Sequence, residues 1–108
     1  MDYSKAFRIV RAAFGLSQAE FARLAKIGPS QMSLIESGKR QPSHKVIKEL
    51  AEALQLPVPL LSLLAADPKD LETPEGQSLE PLAMSLLKLL VRASSERVQP
   101  LPLVGDEA

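Results

Sequence analysis

The residues with the clearest potential for chemistry lie in the stretch GPSQMSLIESGKR, residues 28–40. Ser30 and Ser33 carry hydroxyls that both donate and accept hydrogen bonds, and Lys39 and Arg40 place two positive charges side by side. In nucleic-acid recognition, short polar side chains contact base edges, and Lys and Arg contact phosphate. The pattern therefore favours binding of a polyanion.

Few residues in this sequence could serve as catalytic groups. The chain has one His, no Cys and no glycine-rich phosphate loop, so thiol nucleophiles and thiolate metal sites are excluded. The tetrad from Ser85 to Lys88 fits the S-x-x-K pattern of serine acylases, but it lies in an apolar helical stripe without the accompanying motifs. We expect a protein that is not an enzyme, with no cofactor and no metal site.

Charge is distributed unevenly along the chain. Residues 1–66 contain nine basic and five acidic side chains, whereas residues 67–108 contain four basic and eight acidic ones. This asymmetry predicts that only the first half meets a polyanion, although an ordinary scatter of surface charge is the alternative.

Composition favours a small helical domain with an extension. The 108 residues are 45% hydrophobic with 4% aromatic and no Trp, so Leu, Ile, Val and Ala must form the core. The charged first 14 residues do not resemble a signal peptide, and no apolar run reaches the roughly 20 residues of a membrane span. We expect no membrane association and a cytoplasmic location, which the lack of Cys also fits.

Apolar periodicity and capping residues predict that residues 1–66 form one compact unit of five short helices. Gly15 and Gly38 are expected to end helices, and Ser17 with Glu20 forms a capping box. Pro29 suits the first turn of a new helix, so it explains a break rather than one long helix. The predicted helices cover about 4–14, 18–26, 29–37, 43–54 and 58–65.

The rest of the chain divides into three segments. Residues 67–77 are polar and acidic and are predicted to be a linker, residues 78–96 a C-terminal helix, and residues 97–108 a disordered tail. The helix is too apolar to stand alone in water. It is expected to form a homodimer interface, with binding of another protein or packing back on the bundle as alternatives. The predicted dimerisation residues are Leu79, Leu82, Ala83, Leu86, Leu87 and Leu90.

Residues 16–56 closely resemble the Cro and phage-repressor (XRE) class of helix-turn-helix domains, and the resemblance as a whole covers roughly residues 5–66. The matching elements are Leu16-Ser17-Gln18, Phe21-Ala22, Met32, Ile35-Glu36-x-Gly38-Lys39-Arg40, Pro42-Ser43 and Leu50-Ala51-x-Ala53-Leu54. The resemblance implies an all-α fold, a five-helix lambda-repressor-like bundle, to which this chain adds a C-terminal helix. It also implies a dimer that binds a palindromic operator in double-stranded DNA and regulates transcription.

The resemblance assigns roles to individual positions. Gln18 matches a glutamine that binds phosphate and braces the reading helix, and Arg11 and Glu36 match a partly buried ion pair. Pro29 departs from the better-known repressors, because its side chain cannot make a bidentate contact to adenine. Lys26 and Gln55 stand where the family often has Gly. The base-reading candidates are Pro29, Ser30, Gln31, Ser33, Leu34 and Ser37, and the phosphate candidates are Gln18, Arg23, Lys26, Lys39, Arg40, His44 and Lys45.

The sequence thus predicts a sequence-specific regulator, expected to be a homodimeric repressor. The alternative is an antitoxin or other protein-binding module that also binds its own operator, with the C-terminal helix holding the protein partner.

Overall fold

The computed structural model describes the backbone of residues 1–98 and the side chains of residues 1–94. Within this range the protein is all-helical, as predicted, and its only β-type pairing is an isolated bridge between Glu72 and Ser78. The helices are α1 (Tyr3–Phe14), α2 (Gln18–Ala25), α3 (Pro29–Glu36), α4 (His44–Leu54), α5 (Val58–Ala65) and α6 (Glu80–Val98), with a 3₁₀ helix at Pro68–Leu71.

The helix ends follow from local hydrogen bonding. The Ser17 hydroxyl accepts from the Glu20 amide at 3.1 Å, and the Glu20 carboxylate accepts from the Ser17 amide at 2.8 Å, which completes the capping box. The Ser43 hydroxyl caps α4 by accepting from the Val46 amide at 3.2 Å. Gly15 ends α1 with a φ of 67°, a left-handed conformation that glycine adopts without steric cost.

The core of the first five helices is built around two aromatic rings. Phe7 of α1 and Phe21 of α2 meet edge to face with their centroids 5.7 Å apart, and both are fully buried. Met32 and Leu50 bring α3 and α4 into the same cluster. The predicted stripe on α4 is buried throughout: Val46, Ile47, Leu50, Ala51 and Leu54.

The segment that joins α5 to α6 is ordered by its backbone. The Leu79 amide donates to the Leu71 carbonyl at 2.8 Å and the Thr73 amide donates to the Gln77 carbonyl at 2.7 Å, so the chain closes a compact loop. The Leu71 side chain is buried. The predicted linker, residues 67–77, therefore contains a 3₁₀ helix and a turn.

Helix α6 lies against α1 and α5 through Ala83 and Leu87, which are 3% and 0% exposed. It extends to Val98, two residues beyond its predicted end. The predicted disordered tail began at residue 97; residues 97 and 98 are helical, and residues 99–108 lie outside the described part of the chain.

Candidate nucleic-acid interface

The turn between α2 and α3 changes the direction of the chain in three residues. Lys26 ends α2 in the left-handed region with a φ of 61°, and the Ile27 amide then donates to the Ala22 carbonyl at 3.0 Å. Gly28 returns to an extended conformation and Pro29 occupies the first turn of α3. Because proline needs no amide partner at that position, the new helix starts without loss of a hydrogen bond.

Helix α3 has a buried side and an exposed side. Met32, Ile35 and Glu36 face the core and are at most 5% exposed. Ser30 and Ser33 lie on the exposed side, and Leu34 keeps 39% of its surface in solvent. The base-reading candidates therefore share one face: Pro29, Ser30, Ser33, Leu34 and Ser37 are exposed and Gln31 is half-buried. We call this set the exposed face of α3.

The backbone at the two basic residues that follow α3 is fixed by a single carbonyl. The amides of Lys39 and Arg40 both donate to the Leu34 carbonyl, at 2.9 and 3.2 Å. Gly38 permits this reversal because it has a φ of 82°. Both side chains are exposed, so their charges stand at the end of the same helix that carries the exposed face of α3.

Glu36, the last residue of α3, links three helices. Its carboxylate accepts from Arg11 Nε at 2.9 and 3.1 Å, which is the ion pair that the resemblance implies. Gln18 Nε2 donates to the same carboxylate at 3.2 Å. The carboxylate is 5% exposed, so an acidic residue on α3 is turned away from the exposed face and neutralised by Arg11.

Gln18 therefore contacts α3 directly, as a bracing residue would. A contact of Gln18 with phosphate stays a prediction. Arg8 is a residue that the sequence reasoning missed: its guanidinium donates to the Glu36 main-chain carbonyl at 2.6 Å and so caps the C-terminal end of α3. The available signal was its position three residues before Arg11, since residues at i and i+3 share a helix face.

Four further phosphate candidates lie around α2 and the start of α4. Arg23, His44 and Lys45 are exposed. Lys26 is also exposed, but its ammonium lies 3.3 Å from the Glu49 carboxylate, which offsets part of its charge. Lys26 and Lys45 line one hollow beside the turn, so the structure brings these two together.

Two of the predicted dimerisation residues, Ala83 and Leu87, do not lie on the surface. Both are buried inside the chain against α1 and α5, so they are not available to a partner. Their burial is what the alternative of packing back on the bundle predicts. The large apolar side chains left in solvent here are Leu79, directly before α6, and Leu82, Leu86 and Leu89 on α6, and Leu90 is half-buried.

Other types of site are not evident in the described residues. Residues 1–94 contain no cluster of three or more His, Cys, Asp or Glu side chains that could hold a metal ion. No helix within residues 1–98 combines the length and apolar character needed to span a bilayer.

Comparison with known proteins agrees with this geometry. A family model described as helix-turn-helix matches residues 7–61, which include most of α1, all of α2 to α4 and the first half of α5. Searches among curated proteins and solved structures gave no match. The matched segment contains the α2–α3 turn, the exposed face of α3 and the Glu36 contacts. The chain belongs to the helix-turn-helix family of Cro and phage repressors and is a DNA-binding regulator.

Proposed function

We propose that this protein is a sequence-specific repressor that inserts α3 into the major groove of double-stranded DNA. The observation that carries the proposal is the braced, two-sided α3, which buries its only acidic residue and leaves short polar side chains in solvent. A helix of this kind fits the major groove, where each base pair presents a distinct set of donors and acceptors.

In the proposed complex the exposed face of α3 reads bases. The hydroxyls of Ser30 and Ser33 can bond to purine or pyrimidine edges, and Leu34 can contact a thymine methyl group. Pro29 and Ser37 flank these side chains, and Gln31 reaches either a base edge or a phosphate. The Ser37 hydroxyl donates to the Leu34 carbonyl at 3.0 Å, so Ser37 is left to act chiefly as an acceptor.

The proposed phosphate contacts fix the position of α3 along the DNA. Lys39 and Arg40 stand next to the groove-reading helix, and their contribution is electrostatic and largely independent of sequence. Gln18 begins α2, where free amides and the helix dipole favour an anion. Its side chain also contacts Glu36, so a phosphate bound there would be coupled to the position of α3. Arg23, Lys26, His44 and Lys45 complete the proposed set.

Two copies are proposed to act together on a palindromic operator. In that arrangement each α3 reads one half-site, and the half-sites lie about one DNA turn apart. Repression would be steric, because a bound dimer occupies the promoter.

Selection of bound DNA from a random duplex pool tests this proposal. The expected product is a motif of two inverted half-sites whose centres are about 10 base pairs apart. Recovery of an unstructured pool, together with no binding to duplex DNA at low salt, would disprove the function.

A second candidate function is favoured by one observation. A groove of about 590 Å³ runs between α1 and α6, and its accessible walls are mainly apolar: Ile9, Ala12, Ala13, Met84 and Val91. An apolar groove between helices suits a partner's amphipathic helix, as an antitoxin would use. Co-expression with candidate toxins, followed by purification of a stoichiometric complex lost in Ala12→Arg, is the test. A complex that survives this substitution would exclude the groove as the site.

A further inference from the structure

Helix α6 carries two separate apolar faces. Ala83 and Leu87 face the bundle. Three leucines on another side of the helix, together with Leu79 directly before its first turn, remain 39–66% exposed, and we call the four the leucine face: Leu79, Leu82, Leu86 and Leu89. At 100° per residue the leucine face is centred roughly 100° from Ala83 and Leu87, which pack on the bundle. Packing among the described residues therefore leaves it uncovered.

The spacing of the leucine face is that of a coiled-coil seam. Its members are separated by three, four and three residues, the a/d pattern by which two helices interlock. This spacing reads the same in both directions along the helix. When two copies run antiparallel around an axis level with Met84, Leu79 meets Leu89 of the partner subunit and Leu82 meets Leu86 of the partner subunit.

Charge distinguishes the antiparallel from the parallel arrangement. The approach to α6 is acidic, with exposed Glu72 and Glu75, whereas its second half carries exposed Lys88 and Arg92. A parallel pair would place like charges beside each other at both ends. An antiparallel pair places each acidic end beside a basic end and also opposes the two helix dipoles.

We propose that the leucine face of α6 binds a second copy of this chain, with the two α6 helices antiparallel. The inference rests on the proposed function in so far as that function requires two copies, and it assigns their contact to a defined surface and orientation. Leu87 and Ala83 take no part, since they are already covered.

Sedimentation equilibrium of the full chain tests the surface. Leu82→Ser combined with Leu89→Ser is expected to raise the dimer dissociation constant at least tenfold. Leu63→Ser is the matched control, because Leu63 is an exposed leucine on α5, at 38%, outside the leucine face. An unchanged dissociation constant in the double variant, or an equal change in the control, would overturn the assignment, as would a wild-type chain that stays monomeric at millimolar concentration.

Disulfide trapping tests the orientation, and because the sequence contains no Cys, only the introduced cysteines can cross-link. In the antiparallel pair the two copies of position 79 are about ten residues, or roughly 15 Å, apart along the axis, beyond the reach of a disulfide. Leu79→Cys and Leu89→Cys are each expected to stay uncross-linked alone and to form a mixed dimer together. Efficient cross-linking of Leu79→Cys with itself would establish a parallel pair and refute the proposal.

Binding to a single half-site separates the failure of this proposal from that of the proposed function. The Leu82→Ser, Leu89→Ser variant is expected to bind an isolated half-site as the wild type does and to lose at least tenfold affinity for the full palindrome. Loss of half-site binding would instead show that the substitutions damage the DNA-binding unit and would contradict the assignment of these leucines to the dimer contact alone. A wild-type chain that dimerises but binds no duplex would refute the proposed function and leave the interface standing.

Discussion

Gln18 Nε2 lies 3.2 Å from Glu36 Oε1, so the first turn of α2 is tied to the last turn of α3. The same carboxylate binds Arg11 of α1, so three helices share one buried acidic group. Removal of any partner would leave a buried polar group without compensation, which costs far more than an exposed contact. The angle at which α3 is presented thus depends on this contact as well as on the turn.

Replacement of Arg11 by Met is expected to lower the free energy of unfolding by about 3 kcal/mol, because the buried Glu36 carboxyl would lose its paired cation. Urea unfolding at neutral pH measures the change. Lys26→Ala is the control: the Lys26 side chain that pairs with Glu49 is 70% exposed, and its loss is expected to cost about 0.5 kcal/mol or less. Equal losses in the two variants would contradict a structural role for the Arg11–Glu36 pair.

Arg40→Ala is expected to weaken binding to specific and unrelated duplexes by a similar factor and to reduce the slope of log K against log salt by about one. The reason is the loss of one phosphate contact. Titrations at four or more salt concentrations measure the slope. Lys69→Ala, an exposed cation in the 3₁₀ helix outside the matched segment, should leave it unchanged. A change in base preference at constant slope would show that Arg40 reads bases instead.

Ser30→Ala is expected to relax preference at one base position in each half-site, with a change of about 1–3 kcal/mol in discrimination there. The hydroxyl is exposed and makes no hydrogen bond among the described residues, so the fold should not suffer. Repeated selection from the random pool reads out the motif, with Ser85→Ala as the exposed-serine control on α6. An unaltered motif would remove Ser30 from the base-reading set.

Gln55→Gly is expected to raise the free energy of unfolding by about 0.5–1 kcal/mol. Gln55 ends α4 with a φ of 56°, where a residue with a Cβ pays a steric cost that glycine avoids. Gly15→Ala gives the reciprocal control: an added Cβ meets no atom within 4 Å, so its expected loss of about 1 kcal/mol is purely conformational. Thermal or urea unfolding would contradict this account if both substitutions changed stability in the same direction.

Glu20→Ala is expected to destabilise the protein at neutral pH and to have a smaller effect in acid. The Ser17 amide donates to the Glu20 carboxylate and holds the pKa of that carboxyl below its usual value of 4.5. A lowered pKa in the folded state adds stability above the unfolded pKa, and this stability is lost as the pH falls through the folded pKa. Urea unfolding of both proteins at pH 7 and in steps below pH 4.5 measures the difference. A difference that does not narrow in acid would show that the carboxylate's charge is unimportant.

The sequence by itself determined the helices, their caps and the family. Ser17 with Glu20, Ser43, Gly15 and Gly38 act through hydrogen bonds or dihedral angles within a few residues, so their spacing suffices to predict them. The division of α3 into a buried and an exposed side also follows from its period.

Only the tertiary structure decided which side chains meet across helices. The contact of Arg8 with the end of α3 joins residues 28 positions apart; the spacing to Arg11 indicates the shared face of α1 but does not identify the partner on α3. The apolar surface of α6 was evident from its composition, but its division into a covered side at Ala83 and Leu87 and an exposed leucine face depends on where α1 and α5 stand. Burial is a property of neighbours distant in sequence, and the period of one helix shows how wide its apolar surface is without showing which part another helix covers.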